Sequence, residues 1–183
     1  MENLLHIIKL SSKGDELAQR KLYLNFRSQW YMIAMRYGKN KFQADDIFQE
    51  GLIQIFNSLH QFDQNKASFS TWSTRVLINA ALKYLKKYNW IDSFQKIEDS
   101  MVEEDQQETI YQKLAAKELV DLIQKLPLGY RLVFNMFAME GYAHKDIAKE
   151  LGITVGTSKS QLSKARNTLR IQLEILLNDS HHG

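Results

Sequence analysis

The chain has 183 residues, with no cysteine, one proline and eight glycines, and its 24 basic and 21 acidic side chains leave a net charge of only +3. The absence of cysteine excludes disulfides, thiolate catalysis and Cys-based zinc sites, and it suits a reducing compartment. No stretch approaches the about 18 consecutive apolar residues of a membrane span, and Glu2, His6 and Lys9 interrupt the first apolar residues, so a cytoplasmic protein without span or signal peptide is expected.

Charge is unevenly placed. Residues 1–91 carry 13 basic and 7 acidic groups, residues 92–112 carry one and seven, and residues 113–183 carry ten and seven. Two basic ends therefore flank an acidic middle. Glycine and proline together make roughly 5% of the chain where average usage gives about 12%, which argues for long helices and an all-α fold.

In chain order, Asp15 after Gly14 is an N-cap candidate for a helix that carries Leu17, Leu22, Phe26, Trp30 and Ile33 and ends near Gly38. A second helix is expected over 43–60, with Ile47, Leu52, Ile55, Phe56 and Leu59 as its apolar side, followed by a polar loop over 61–68. A third covers 70–89. At 100° per residue, Leu77, Ile78, Ala81, Tyr84, Leu85 and Tyr88 share an apolar arc of about 120°, while Arg75, Asn79, Lys83, Lys86 and Lys87 lie opposite. One face packs and the other is basic.

Residues 92–109 lose the periodicity and collect acids, which reads as a flexible linker at a domain boundary. Helices resume over 110–125, from Pro127 to Glu140 with Gly141 as the stop, over 144–151, and after a turn at Gly152 over 155–177. The expected organisation is thus two small helical domains, 1–91 and 110–177, joined by the acidic linker 92–109 and followed by a tail, 178–183.

Ile147, Ala148, Leu151, Gly152 and Ile153 have the spacing of a helix-turn-helix. On the helix that follows, Val155, Leu162, Ala165, Leu169 and Leu173 fall within about 80° of arc, and Ser160 lies opposite among Thr157, Lys159, Ser163, Lys164 and Asn167. No acid occurs between Thr154 and Leu173. A face of short donors and lysines fits the major groove of DNA. Thr154 can cap this helix, and the amides of Gly156 and Thr157 can receive a phosphate.

Three segments in this order, ADDIFQEGLIQIF (44–56), FSTWSTRVLINAALKYLKK (69–87) and LPLGYRLVFNMFAMEGYAHKDIAKELGITVGTSKSQLSKAR (126–166), resemble a bacterial RNA polymerase sigma factor of the small, extracytoplasmic-function type. The resemblance implies that the domains are regions 2 and 4 of that family. It further implies a protein without catalytic chemistry, cofactor, metal or small-molecule substrate. The implied partners are core RNA polymerase, through its beta-prime clamp coiled coil and its beta flap, promoter DNA and, as the family often requires, an anti-sigma factor.

Carried over residue by residue, Asp45, Asp46, Gln49 and Glu50 match the helix that docks on the clamp. Asp46 and Glu50, one turn apart, make a carboxylate face suited to Arg-rich partners. The loop 62–68, with Asp63, Asn65, Lys66 and Ser68, matches the segment that captures a flipped minus-10 base. Phe69 and Trp72, which by themselves read as core aromatics, stand where the family supports unstacked bases. Arg75, Asn79, Lys83 and Lys86 would lie along the minus-10 DNA. Lys159, Ser160, Ser163 and Lys164 match minus-35 reading positions, with Gly156, Thr157 and Asn167 beside them.

Two departures stand out. Ala143 occupies the position of a Ser or Thr helix cap, and the recognition face has Lys and Ser where several relatives carry Arg, which makes bidentate reading of guanine less assured. A two-domain helix-turn-helix regulator that never meets polymerase is the alternative reading. Promoter elements one and a half to two turns apart are separated by roughly 50–70 Å. An 18-residue linker reaches about 60 Å only when held extended and averages about 25 Å as a coil, so polymerase is expected to hold it. The free chain, with its weak net charge, is expected to bind DNA poorly.

Overall fold

The structure, a computed structural model, describes residues 3–87 and 116–180. The acidic linker 92–109, Tyr88 and the beginning of the helix expected from residue 110 lie outside the described residues. The chain divides into two compact units, 1–87 and 88–183, and its described elements are helices without any strand. None of the described helices is long and apolar enough to cross a membrane.

The first unit begins with a helix that periodicity did not reveal, α1 (Leu4–Ser11). Its Asn3 cap accepts the Leu5 amide at 3.1 Å, and Ile7 and Ile8 are buried. At 100° per residue Leu4, Leu5, Ile7, Ile8 and Leu10 spread over about 220° of arc, so no single apolar face marks this helix. Gly14 turns the chain at φ +88°, a left-handed conformation that favours glycine, and Asp15 then caps α2 (Glu16–Tyr37) by accepting the Ala18 amide at 2.8 Å. The expected start and stop of this helix are both met.

α3 (Lys41–Ser58) starts two residues earlier than expected because Asn40 is its cap, accepting the Gln43 amide at 3.0 Å while the Gln43 side chain accepts the Lys39 amide at 2.7 Å. The first bond satisfies a donor of the helix's first turn, and the second ties down the amide just before the cap. A single 3₁₀ turn (Leu59–Gln61) leads into the loop, and Ser68 caps α4 (Phe69–Lys87) by accepting the Thr71 amide at 3.1 Å. α3 packs against both α2 and α4. The core between them holds Leu22, Trp30, Ile33, Ile47, Ile55, Leu77, Ile78 and Leu85, and the indole of Trp30 donates to Ser73 Oγ at 3.0 Å.

In the second unit α5 (Ala116–Lys125) is followed by Pro127, which stands one residue before α6 (Leu128–Phe134) rather than inside it. The helix expected to reach Glu140 changes instead into a π-helical turn, Asn135–Met139, closed by the Glu140 amide on the Asn135 carbonyl at 3.0 Å. Arg131 is buried and donates Nη1 to the carbonyls of Gln124 at 3.0 Å and Leu126 at 3.4 Å, supplying the end of α5 with a cation. Burial lowers its pKa to about 10, so it remains charged at neutral pH.

Gly141, at φ +72°, ends the π turn, and α7 (His144–Leu151) follows with the expected bounds. Gly152 adopts the left-handed conformation at φ +68°, and the Ile153 amide reaches back to the Ala148 carbonyl at 3.0 Å, which is the closure a helix-turn-helix needs. α8 (Val155–Ser180) runs three residues beyond its expected end, into the expected tail. Ile147, Leu151, Leu162, Ala165, Leu169 and Leu173 are buried, whereas Val155, expected on the same side, is 43% exposed at the helix start.

Candidate protein and nucleic-acid interfaces

On α3 the buried side is formed by Ala44, Ile47, Gly51 and Ile55. The opposite side presents Phe42, Asp45, Asp46, Gln49, Glu50 and Ile53, which at 100° per residue span about 140° of arc. All are exposed except Asp45, which is half-buried. The four residues expected to dock on a protein partner are thus brought together. Sequence reasoning missed Phe42, 86% exposed, and Ile53, 55% exposed, which lie on the midline of this face, one at each end of it. Their signal was available, since an apolar residue diametrically opposed to the core side of an amphipathic helix has no packing reason to be there.

Both aspartates are tethered. Tyr31 of α2 donates its hydroxyl to Asp45 Oδ1 at 2.9 Å, and Tyr84 of α4 donates to Asp46 Oδ2 at 2.7 Å. The hydrogen bond to the Asp45 carboxylate, then burial, then the carboxylate's charge raise the pKa of the Tyr31 phenol above its usual value.

On α4, Arg75, Asn79, Lys83, Lys86 and Lys87 are exposed, opposite the buried Leu77, Ile78, Ala81 and Leu85. The amphipathic reading of this helix holds. Phe69 does not fit its expected DNA role: it is 3% exposed and lies within 5.0 to 6.4 Å, centroid to centroid, of Phe26, Trp30, Phe62 and Trp72. It is a core ring, as its residue type alone suggested. Trp72 and Phe62 remain half-buried at the rim of this cluster, 5.6 Å apart.

The loop before α4 folds on Asp63, whose Oδ1 accepts the Asn65 amide at 2.9 Å and the Asn65 side chain at 3.1 Å. Lys66 stands 3.8 Å from Asp63 Oδ2, an exposed pair of little energetic consequence. Asn65, Lys66 and Ser68 are exposed, but the Ser68 hydroxyl is engaged in capping.

On α8, Thr154 Oγ1 accepts the Thr157 amide at 2.9 Å, as expected of a cap. Gly156, Lys159 and Asn167 are exposed, and Thr157, Ser163 and Lys164 are half-buried. Ser160 differs from expectation. It is 8% exposed and donates its hydroxyl to the Thr157 carbonyl at 3.3 Å, so it does not present an open donor. Helical angle alone placed it opposite the apolar side, and angle does not report what a hydroxyl bonds within its own turn. Ala143 provides no side-chain cap to α7, and the His144 ring instead bonds Ser158 of α8 at 2.8 Å and stacks on Phe137 at 4.4 Å.

Among the described residues no three His, Asp or Glu side chains group as metal ligands. The described residues offer three surfaces: a mixed apolar and acidic face on α3, a basic face on α4, and an acid-free stretch at the start of α8.

The pattern of Sigma-70 region 2 matches residues 22–91, and that of Sigma-70, region 4 matches residues 116–169. The chain is 29% identical to the ECF RNA polymerase sigma factor SigW of Bacillus subtilis over 92% of its own length and 96% of that protein. It is 23% identical to the RNA polymerase sigma-H factor of Pseudomonas aeruginosa over 95% of both. In fold it is similar to the sigma factor RpoE of Bartonella quintana, solved with the anti-sigma factor NepR, at a TM-score of 0.52 and 21% identity over 85% of this chain and 96% of that one. With both regions matched in order and relatives aligned almost end to end, the chain belongs to the sigma-70 family as a sigma factor of the extracytoplasmic-function type.

Proposed function

We propose that the chain binds core RNA polymerase through the α3 face and directs it to promoters, with α4 and the loop 62–68 engaging the minus-10 element and α8 the minus-35 element. The domains divide as 1–91 and 110–177 around the linker 92–109. The carrying observation is that one unit holds two different exposed surfaces on adjacent helices. Asp46, Gln49 and Glu50 on α3 sit between two exposed apolar side chains, while α4 turns Arg75, Lys83 and Lys86 outward. A protein that needed only DNA would have no use for the first surface.

Carboxylates beside apolar groups suit a basic protein helix, where charge-assisted bonds give orientation and burial of Phe42 and Ile53 gives affinity. The lysines and Arg75 suit phosphates. Base capture near Phe62 and Trp72 offsets part of the unstacking cost of melting, about a few kcal/mol. The protein performs no chemistry of its own and acts where polymerase works, in the cytoplasm. An anti-sigma factor is a candidate partner, since RpoE of Bartonella quintana was solved with one.

The test is charge reversal. Asp46→Lys with Glu50→Lys should abolish core binding and promoter-specific transcription in vitro while the helical fold persists. An autonomous regulator would keep its DNA affinity and its effect on transcription, and that result would sink the proposal.

A further inference from the structure

Asp45 and Asp46 are consecutive, so their side chains leave α3 about 100° apart and lean toward different neighbours. Each meets a phenol there. Tyr31 comes from α2, held by an edge-on contact of its ring with Phe48 at 5.2 Å, and Tyr84 comes from α4. The two bonds, 2.9 Å to Asp45 Oδ1 and 2.7 Å to Asp46 Oδ2, engage one oxygen of each carboxylate. A carboxylate has about four acceptor sites, so each can still receive an Arg or Lys from a partner.

From this we infer that Tyr31 and Tyr84 are positioning residues for polymerase docking, presetting Asp45 and Asp46 in the orientation in which the α3 face meets its partner. The inference rests on the docking reading above. An aspartate exposed on a helix samples several rotamers, and ordering it at the moment of association subtracts from affinity; a phenol that has already fixed it removes that cost. As positioning residues the tyrosines act through Asp45 and Asp46, the carboxylates they bond. Neither was legible as functional from sequence. Tyr84 falls in the apolar arc of α4, and its hydroxyl reaches the edge of that arc, where the acid of the next helix stands.

The experiment titrates the labelled full-length protein with core polymerase. Tyr84→Phe keeps the ring and deletes the donor, and it should weaken binding about threefold to tenfold. The same substitution in an Asp46→Ala background should then add nothing, because there is no carboxylate left to position. Tyr31→Phe with Asp45→Ala forms a second, independent cycle, which decides the matter if the Tyr84 variant proves unstable in thermal unfolding. A loss of affinity that persists unchanged in the Ala backgrounds would mark the tyrosines as plain helix staples and overturn the inference. So would full affinity of both Phe variants while Asp46→Ala binds poorly, an outcome that leaves the docking reading intact. If Asp45→Ala and Asp46→Ala both bind core at full strength, the docking reading fails and this inference fails with it.

Discussion

Gly51 of α3 lies directly against Leu77 of α4, so that a Cβ at position 51 would collide with the Leu77 side chain. Leu77 is wholly buried, so its side chain would have to shift within the packed core to make room. The glycine is therefore what lets α4 approach α3 closely enough for Tyr84 to reach Asp46. Gly51→Ala gains about 1 kcal/mol of helix propensity but suffers an overpacking cost of typically 1–3 kcal/mol. A net loss of up to ~2 kcal/mol is expected in denaturant unfolding, with polymerase affinity falling as the two helices separate. Combining it with Leu77→Ala should cost less than the two single losses together, since the second change makes room for the first.

Phe42 and Ile53 provide a cleaner separation of binding from stability. Being exposed, they contribute little to the fold, and Phe42→Ser and Ile53→Ser should leave the unfolding midpoint within about 0.5 kcal/mol of the parent. Each should weaken core polymerase binding by roughly tenfold, a loss of about 1.4 kcal/mol, as expected of apolar anchors that flank a carboxylate patch. Unchanged binding in both would show that the carboxylates act without apolar anchors.

The fold was legible wherever a helix was long enough to repeat its pattern. Asp15, Gly141, Gly152 and Thr154 were read correctly as punctuation because each acts locally, through a cap or a left-handed turn, while Gly38 ends α2 in an extended conformation where a Cβ would meet the Ala44 backbone. α1 was hidden because its apolar residues mark no single face, whereas the equally short α7 is bracketed by Gly141 and Gly152; the π turn at Asn135–Met139 was hidden because one inserted residue leaves composition unchanged. For the surfaces, periodicity found the basic side of α4 but not the fates of Phe69 and Ser160. Those depend on five converging aromatic rings in one case and a hydrogen bond to the preceding turn in the other. Tertiary pairings such as Tyr84 with Asp46, 38 positions apart, have no signature within either helix.

Tyr31 gives a signature in alkaline solution. Its phenol in the folded protein holds its proton to higher pH than the usual 10 because it donates to the Asp45 carboxylate. Between about pH 10 and the folded pKa, the unfolded chain has released this proton and the folded one has not, so unfolding loses a proton and stability falls as pH rises. The bond's contribution is complete below about pH 10. Tyrosinate absorbance at 295 nm should show one phenol returning toward 10 in Asp45→Asn, and Tyr31→Phe should flatten the decline of stability above that pH. Identical alkaline titrations of the parent and Asp45→Asn would contradict the hydrogen bond.

Ala143 leaves α7 without a side-chain cap although its backbone, at φ −74° and ψ 149°, is already extended as a cap requires. Ala143→Ser needs no backbone change to bring its oxygen to the Asp146 amide, which already reaches the Ala143 carbonyl at 2.9 Å, and by sharing that donor it should stabilise the second unit by about 0.5–1 kcal/mol. Calorimetry of the full-length protein should show the gain. Promoter binding by the holoenzyme should not change, because the new hydroxyl would be spent on the helix rather than offered to DNA.

Lys83 tests the basic face of α4 by its salt dependence. If it neutralises a promoter phosphate, Lys83→Ala removes one released counterion, and the slope of log affinity against log salt should shrink by about 0.7–0.9 for the holoenzyme. Asn79→Ala, on the same exposed side but uncharged, should lower affinity without altering the slope. Lys9→Ala on α1 serves as the comparison, being an equally exposed lysine on a helix assigned no DNA contact. A slope unchanged by Lys83→Ala, or changed as much by Lys9→Ala, would show that the cations of α4 act only as a diffuse field. The minus-10 contact would then have to come from the loop 62–68 and the ring pair Phe62 and Trp72, where binding depends on stacking and is far less sensitive to salt.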